Sequence, residues 1–177
     1  MNAMFLRRIV PVMSKARLWK GILIGAAMAA AISASLVWAT AGSGTTSTLI
    51  GRATFDEPIN VRRFGEDHWK VSVQAKPSLD VAVQTIVFQP GGQSGWHSHP
   101  GPVFISVVEG TMTFYESDNP DCNPIVRHAG EGYLDVGDHA HIARNETSDP
   151  ATNVVTYLAP PGAALRIDQP DPGNCRF

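Results

Sequence analysis

From Leu49 to the C-terminus the chain contains no convincing run of apolar residues at helical spacing. Short β-rich segments take its place: WKVSVQA, VAVQTIVFQ, VFISVVE, TMTFYES, PIVRHA, GYLDVG, HAHIARN and NVVTYLAP, separated by Gly, Pro, Asn and Asp. Eight or more short strands with turn residues between them predict an antiparallel sandwich or barrel, about the only use such a pattern has. Nothing between the strands can serve as a crossover helix, which excludes a parallel βαβ sheet. Within VFISVVE the period of two is plain. Val103, Ile105 and Val107 share one face, and Phe104, Ser106 and Val108 share the other. A tight connection is expected at Glu109-Gly110, after which Met112 and Phe114 resume the alternation and join the core.

The first 41 residues do not belong to this pattern. They hold Arg7, Arg8, Lys15, Arg17 and Lys20 and no acid, followed by an uncharged run from Gly21 to Ala41. A basic region, an apolar run and a small-residue ending, Ala39-Thr40-Ala41, have the layout of a secretory signal peptide. The run is also long enough to cross a bilayer, so residues 1–41 read as a signal peptide or as an uncleaved membrane anchor. Arg7-Arg8 matches a twin-arginine signal poorly. Either reading exports the rest of the chain to the periplasm or the extracellular space. Residues 42–48, GSGTTST, read as a flexible linker, and residues 49–177 as the folded domain.

Without the leader the chain holds nine Lys and Arg against sixteen Asp and Glu, and no basic stripe. Such a surface has nothing to track a phosphate backbone, so nucleic acid is excluded as a partner. Cys122 and Cys175 are the two cysteines, and in an oxidising compartment they predict one disulfide. Closing that loop stabilises by about 3–4 kcal/mol on chain-entropy reasoning. Two separate thiols are the alternative.

Four of the six histidines fall into two His-x-His pairs, His97 with His99 and His139 with His141. On an extended chain residues i and i+2 point the same way, so His97 and His99 project together while Trp96 and Ser98 face the opposite side. A single such pair is an ordinary surface feature. Two of them, on strands that one barrel can bring together, point to a shared cation. His68 and His128 have no such partner and read as surface residues. Tyr157 is either an acid at the edge of a pocket or a structural strand tyrosine. Asn145-Glu146-Thr147 has the form of a glycosylation acceptor, but Asn145 reads better as a structural residue beside the second pair.

These motifs resemble those of the cupins, small double-stranded β-helix (jelly-roll) barrels. PGGQSGWHSHPGPVFISVVEG is similar to their first motif through Pro90-Gly91, His97-x-His99 and Gly110. GEGYLDVGDHAHIARN is similar to the second through Gly130, Gly137, His141 and Asn145. The resemblance covers roughly residues 49–170 and implies an all-β barrel holding a metal at its centre. It departs at three places. Val103 occupies the usual position of a metal-binding Glu, Asp135 that of a Pro, and three residues rather than two separate Gly137 from His141.

The resemblance therefore implies His97, His99 and His141 as metal ligands, with His139 as the alternative third ligand and Gln93 or Glu109 as conceivable additions. Three neutral imidazoles leave a dication's charge uncancelled. That favours a divalent transition metal (iron, zinc, nickel, copper, cobalt or manganese) over Mg²⁺ or Ca²⁺. The function implied is that of a metal-dependent oxygenase, or an isomerase-like enzyme, acting on a small organic molecule. The competing reading is a non-catalytic cupin that binds a small ligand or the metal itself. Pairing of two copies through edge strands is implied by analogy, and a membrane partner only if the leader is retained.

Overall fold

The computed structural model describes residues 39–177 apart from Pro77. The leader reading falls almost wholly on residues 1–38, outside the described residues. Twelve strands and no helix occur among those described. They are β1 (Ser43–Phe55), β2 (Ile59–Phe64), β3 (Lys70–Ala75), β4 (Leu79–Gln93), β5 (His97–Ser98) and β6 (Val103–Glu109). The second half of the chain supplies β7 (Thr111–Glu116), β8 (Ile125–His128), β9 (Gly132–Asp135), β10 (His141–Arg144), β11 (Ala151–Ala159) and β12 (Ile167–Asp168).

The strands form two walls. β1, β4, β11, β6 and β9 lie side by side in one, and β12, β5, β10, β7 and β8 in the other. The walls join where Arg144 pairs with Gln93, so that a nearly closed antiparallel barrel results. The all-β jelly roll expected from the strand pattern is the fold observed. Outside it, β2 and β3 pair only with each other in an exposed hairpin, with His68 at its turn.

Alternation decides what the barrel buries. Val103, Ile105 and Val107 are buried while Phe104 and Val108 stay exposed, as the period of two requires. Together with Phe88, Met112 and Phe114 they fill the interior, each large side chain contributing about 2 kcal/mol of burial. A second cluster lies apart from it: Trp96, Tyr115 and Ile142 pack with Cys175. Trp96 is thus turned away from its histidine neighbours and into a core. Cys122 and Cys175 are disulfide-bonded with their Cα atoms 5.2 Å apart, which ties the C-terminal tail over this second cluster. Arg144 adds a cation–π contact, 3.9 Å from the centre of the Phe177 ring.

One local expectation is corrected. Residues 43–48, read as a linker from composition, form the first part of β1, with Thr45 to Thr48 paired to Phe88 through Thr85 of β4. Threonine suits an extended chain, and the open edge of β4 offers hydrogen bonds that a free linker would leave to water. Ala39 and Thr40 also touch the barrel, Ala39 bridging Pro170 and the Thr40 hydroxyl accepting from the Trp96 N–H at 2.5 Å. The Glu109-Gly110 connection, in turn, is tight without closing a hairpin. β6 pairs with β9 and β11 and β7 with β8 and β10, so the chain passes there from one wall to the other. Gly110 has φ +73°, and a Cβ on it would sit 2.7 Å from the Pro150 carbonyl oxygen, so only glycine fits the crossing.

Asn145 is structural. It is buried, its Nδ2 donates to the carbonyls of Phe88 (3.1 Å) and Asp149 (2.7 Å), and its Oδ1 accepts from the N–H and hydroxyl of Thr147. The nitrogen that a glycan would need is already committed inside the fold.

Candidate metal centre

β5 and β10 are neighbours in register, with His97 opposite His141. Cross-strand partners share a face, so these two imidazoles meet directly, and His99 joins them two residues further along. All three are buried, and one nitrogen from each lies within 4.8 Å of the others. His97 and His141 are the closest pair, their Nε2 atoms 3.2 Å apart.

The outer nitrogens of His97 and His99 determine their tautomers. His97 Nδ1 lies 2.8 Å from the Gly95 carbonyl oxygen and His99 Nδ1 lies 2.6 Å from that of Leu165. His141 Nδ1 lies 2.5 Å from Asp135 Oδ2. Carbonyl oxygens only accept, so Nδ1 of His97 and of His99 must carry its proton and donate, whereas His141 Nδ1 and Asp135 Oδ2 are close but form no hydrogen bond. A neutral imidazole then leaves Nε2 as a bare lone pair. Burial keeps the His97 and His99 rings neutral. It lowers His97 to about 2, with help from the adjacent His141 and from Arg166, and lowers His99 to about 4. His97 Nε2 and His141 Nε2 face each other at 3.2 Å, where either a proton on one ring or a cation held among them joins the pair. The donor set therefore fits a transition metal, and three imidazoles leave further coordination positions open. The Oδ1 of buried Asn153, on the wall of the small cavity beside the rings, also has no hydrogen-bond partner among the described residues.

The remaining candidates separate cleanly. His139 points elsewhere, its Nδ1 2.7 Å from Asp138 and its Nε2 3.8 Å from Glu116 and 3.9 Å from Asp118. Gln93 spends its amide on the Ala41 carbonyl, the Ser43 hydroxyl and the Gly95 N–H. Glu109 is exposed and accepts from the Thr152 hydroxyl at 3.2 Å. His128 lies at the surface against Thr111. Tyr157 does reach the site. Its ring centre is 5.5 Å from that of His99, its hydroxyl donates to Gln84 at 2.9 Å, and burial raises it to about 12.

Sequence reasoning noted Asp135 only as a departure from a motif. It is fully buried and directly opposite Val103 across the β6–β9 ladder. A carboxylate is thus present beside the position where the resemblance implies a Glu, but it sits behind His141, and its Oδ2 is 3.7 Å from His99 Nε2. Burial would raise this carboxyl. The neighbouring His141 and the Gly137 N–H, 2.6 Å from Oδ1, outweigh that and hold it below its ordinary value. The available signal was the alternation of GYLDV, which turns Tyr133 and Asp135 inward together.

A pocket of about 640 Å³ opens beside His97 and His99. Thr45 and Ser47 of β1, Gln84, Ile86 and Phe88 of β4, Tyr157, and Arg166 and Asp168 at the C-terminal end line it. The segment read as a linker is therefore part of the pocket wall.

The cupin-domain family model matches residues 84–157, which span both histidine strands. No curated protein matches the chain. Among solved structures it is similar to a Cupin 2 conserved barrel domain protein from Leptotrichia buccalis, at 17% identity and a TM-score of 0.44 over 66% of this chain and 41% of that one. It is likewise similar to the polyketide cyclase RemF from Streptomyces resistomycificus, at 13% identity and a TM-score of 0.49 over 75% and 76% of the two chains. A double-stranded β-helix protein from Klebsiella pneumoniae matches at 19% identity and a TM-score of 0.43 over 64% and 85%. Residues 84–157, the part of the barrel that gathers the three imidazoles, match the cupin domain.

Proposed function

We propose that this chain is an exported metal-binding cupin whose His97, His99 and His141 hold one divalent transition ion through Nε2, and that it acts as a metal-dependent oxygenase on a small organic molecule. One observation carries the reading: three buried imidazoles bring a nitrogen each within 4.8 Å of the others, while Nδ1 of His97 and of His99 is committed outward to a carbonyl. The basic and apolar leader and the Cys122–Cys175 disulfide support export. Bound there, a redox-active ion would supply Lewis acidity and oxygen chemistry. The residues of the chain do the rest. Ile86 and Phe88 offer an apolar wall, Gln84 and Tyr157 a polar edge, and Asp135 a negative charge behind His141.

The second reading, a non-catalytic small-ligand or metal-binding cupin, is favoured by the state of the nearby titratable groups. Tyr157 is raised to about 12 and Asp135 is engaged by His141, so neither is poised to take a proton near neutrality. Elemental analysis of the purified chain, with oxygen uptake by the iron-loaded protein across small acids and phenols, tests both. One ion per chain with uptake supports the oxygenase. One ion with ligand-induced thermal shifts and no uptake supports the binder, and no ion after reconstitution removes both metal readings.

A further inference from the structure

The C-terminal strand brings a cation to the site. β12 runs antiparallel to β5, with Ile167 opposite Ser98 and Asp168 opposite His97. Arg166, the residue just before β12, lines the same pocket as His97 and His99. The preceding residue, Leu165, supplies the carbonyl that holds His99 Nδ1. The Arg166 side chain is about one-third exposed on the pocket wall.

The guanidinium is held by one edge only. Nε donates to Asp168 Oδ1 at 2.5 Å, whereas neither Nη group has a hydrogen-bond partner among the described residues. Other arginines of the barrel are differently engaged. Arg52 is clasped by Asp80, Arg127 by the carbonyls of Val126 and Gly132, and Arg144 lies between Glu146 and Phe177. On the pocket wall, then, stands a planar fork oriented through its Nε, with its two terminal nitrogens unused. That edge matches the two oxygens of a carboxylate.

We propose that Arg166 anchors a carboxylate subsite, so that the pocket takes a small organic monocarboxylic acid, its carboxylate on the Nη edge and its body against Ile86 and Phe88. Asp168 acts here as a positioning residue. The proposal names the ligand class for the function proposed above and rests on that reading for the chemistry. The anchoring itself is made by the protein whether or not an ion is bound.

Titration calorimetry on the full chain, metal-free and zinc-loaded, tests it with acid and amide pairs of equal shape: acetate with acetamide, benzoate with benzamide, phenylacetate with phenylacetamide. At least one acid should bind about tenfold or more tightly than its amide, the size of one charge-assisted pair. Arg166→Met should erase that preference with an unchanged melting temperature, and Arg166→Lys should restore part of it. Equal affinity for acids and amides, a preference that survives Arg166→Met, or no binding by any acid overturns the proposal. Metal content measured on the same samples keeps the two ideas apart. Acid preference in a chain that takes up no zinc on loading sinks the metal reading alone, and zinc uptake without acid preference sinks this one alone.

Discussion

Asp135 Oδ2 lies 2.5 Å from His141 Nδ1, and both side chains are shut off from solvent. The contact places a negative charge just behind the cluster, against the outer nitrogen of His141. Asp135→Asn keeps the size of the side chain and removes that charge. Metal affinity measured by chelator competition is expected to fall by about 10–100-fold, the usual cost of losing an outer carboxylate. Affinity equal to that of the parent protein would show that Asp135 serves the fold alone.

Replacing His97 should matter far more than replacing His128. His97→Ala removes one of three converging nitrogens and should abolish stoichiometric metal, whereas His128→Ala changes an exposed side chain bonded to Thr111 and should leave it intact. Metal content by mass spectrometry compares the two variants directly. Equal retention in both would move the site away from the barrel interior.

Acidity should weaken the metal-free protein from just below neutrality. The folded values of His97 and His99, about 2 and about 4, lie beneath the ordinary histidine value of about 6.5. As pH falls below about 6.5 the unfolded chain takes up protons that the folded chain refuses, so stability declines by up to about 1 kcal/mol per pH unit for each ring. Above about 6.5 this contribution is complete and constant. His139 works in the opposite sense: burial lowers it, but Asp138, Asp118 and Glu116 more than compensate, so its smaller contribution is lost as pH rises. Denaturant midpoints of the apoprotein between about pH 4 and 8 test the balance, and a flat profile would contradict it.

The disulfide and Asn145 each have a measurable share in stability. Cys175→Ser frees a link across 53 residues and should cost about 4 kcal/mol on the chain-entropy relation. Asn145→Ala strands the buried Phe88 carbonyl and empties a four-bond network, at a cost on the order of 3 kcal/mol. Chemical denaturation resolves losses of this size. A change below about 1 kcal/mol in either variant would mean that the surroundings relax around the gap.

Local periodicity carried most of the fold. The alternation in VFISVVE and GYLDV, and glycines at the crossings, are properties that neighbouring residues impose on an extended chain whatever surrounds it. His97 and His99 were bound to project together for the same reason. Pairing partners are another matter, because hydrogen bonds between strands depend on which edges meet. Composition therefore marked residues 43–48 as a linker, although β4 recruits them as a strand that lines the pocket.

The site divides along the same line. The polypeptide by itself dictated a barrel of short strands and the side-by-side imidazoles at 97 and 99, because both follow from the two-residue repeat of a strand. Only the tertiary structure decided that His141 rather than His139 meets them, that Asp135 stands behind it, and that Arg166 reaches their pocket. Those three facts depend on the register of β10 against β5, β9 against β6 and β12 against β5. Register is fixed by contacts between residues far apart in the chain, since a slip of one residue turns every side chain to the opposite face.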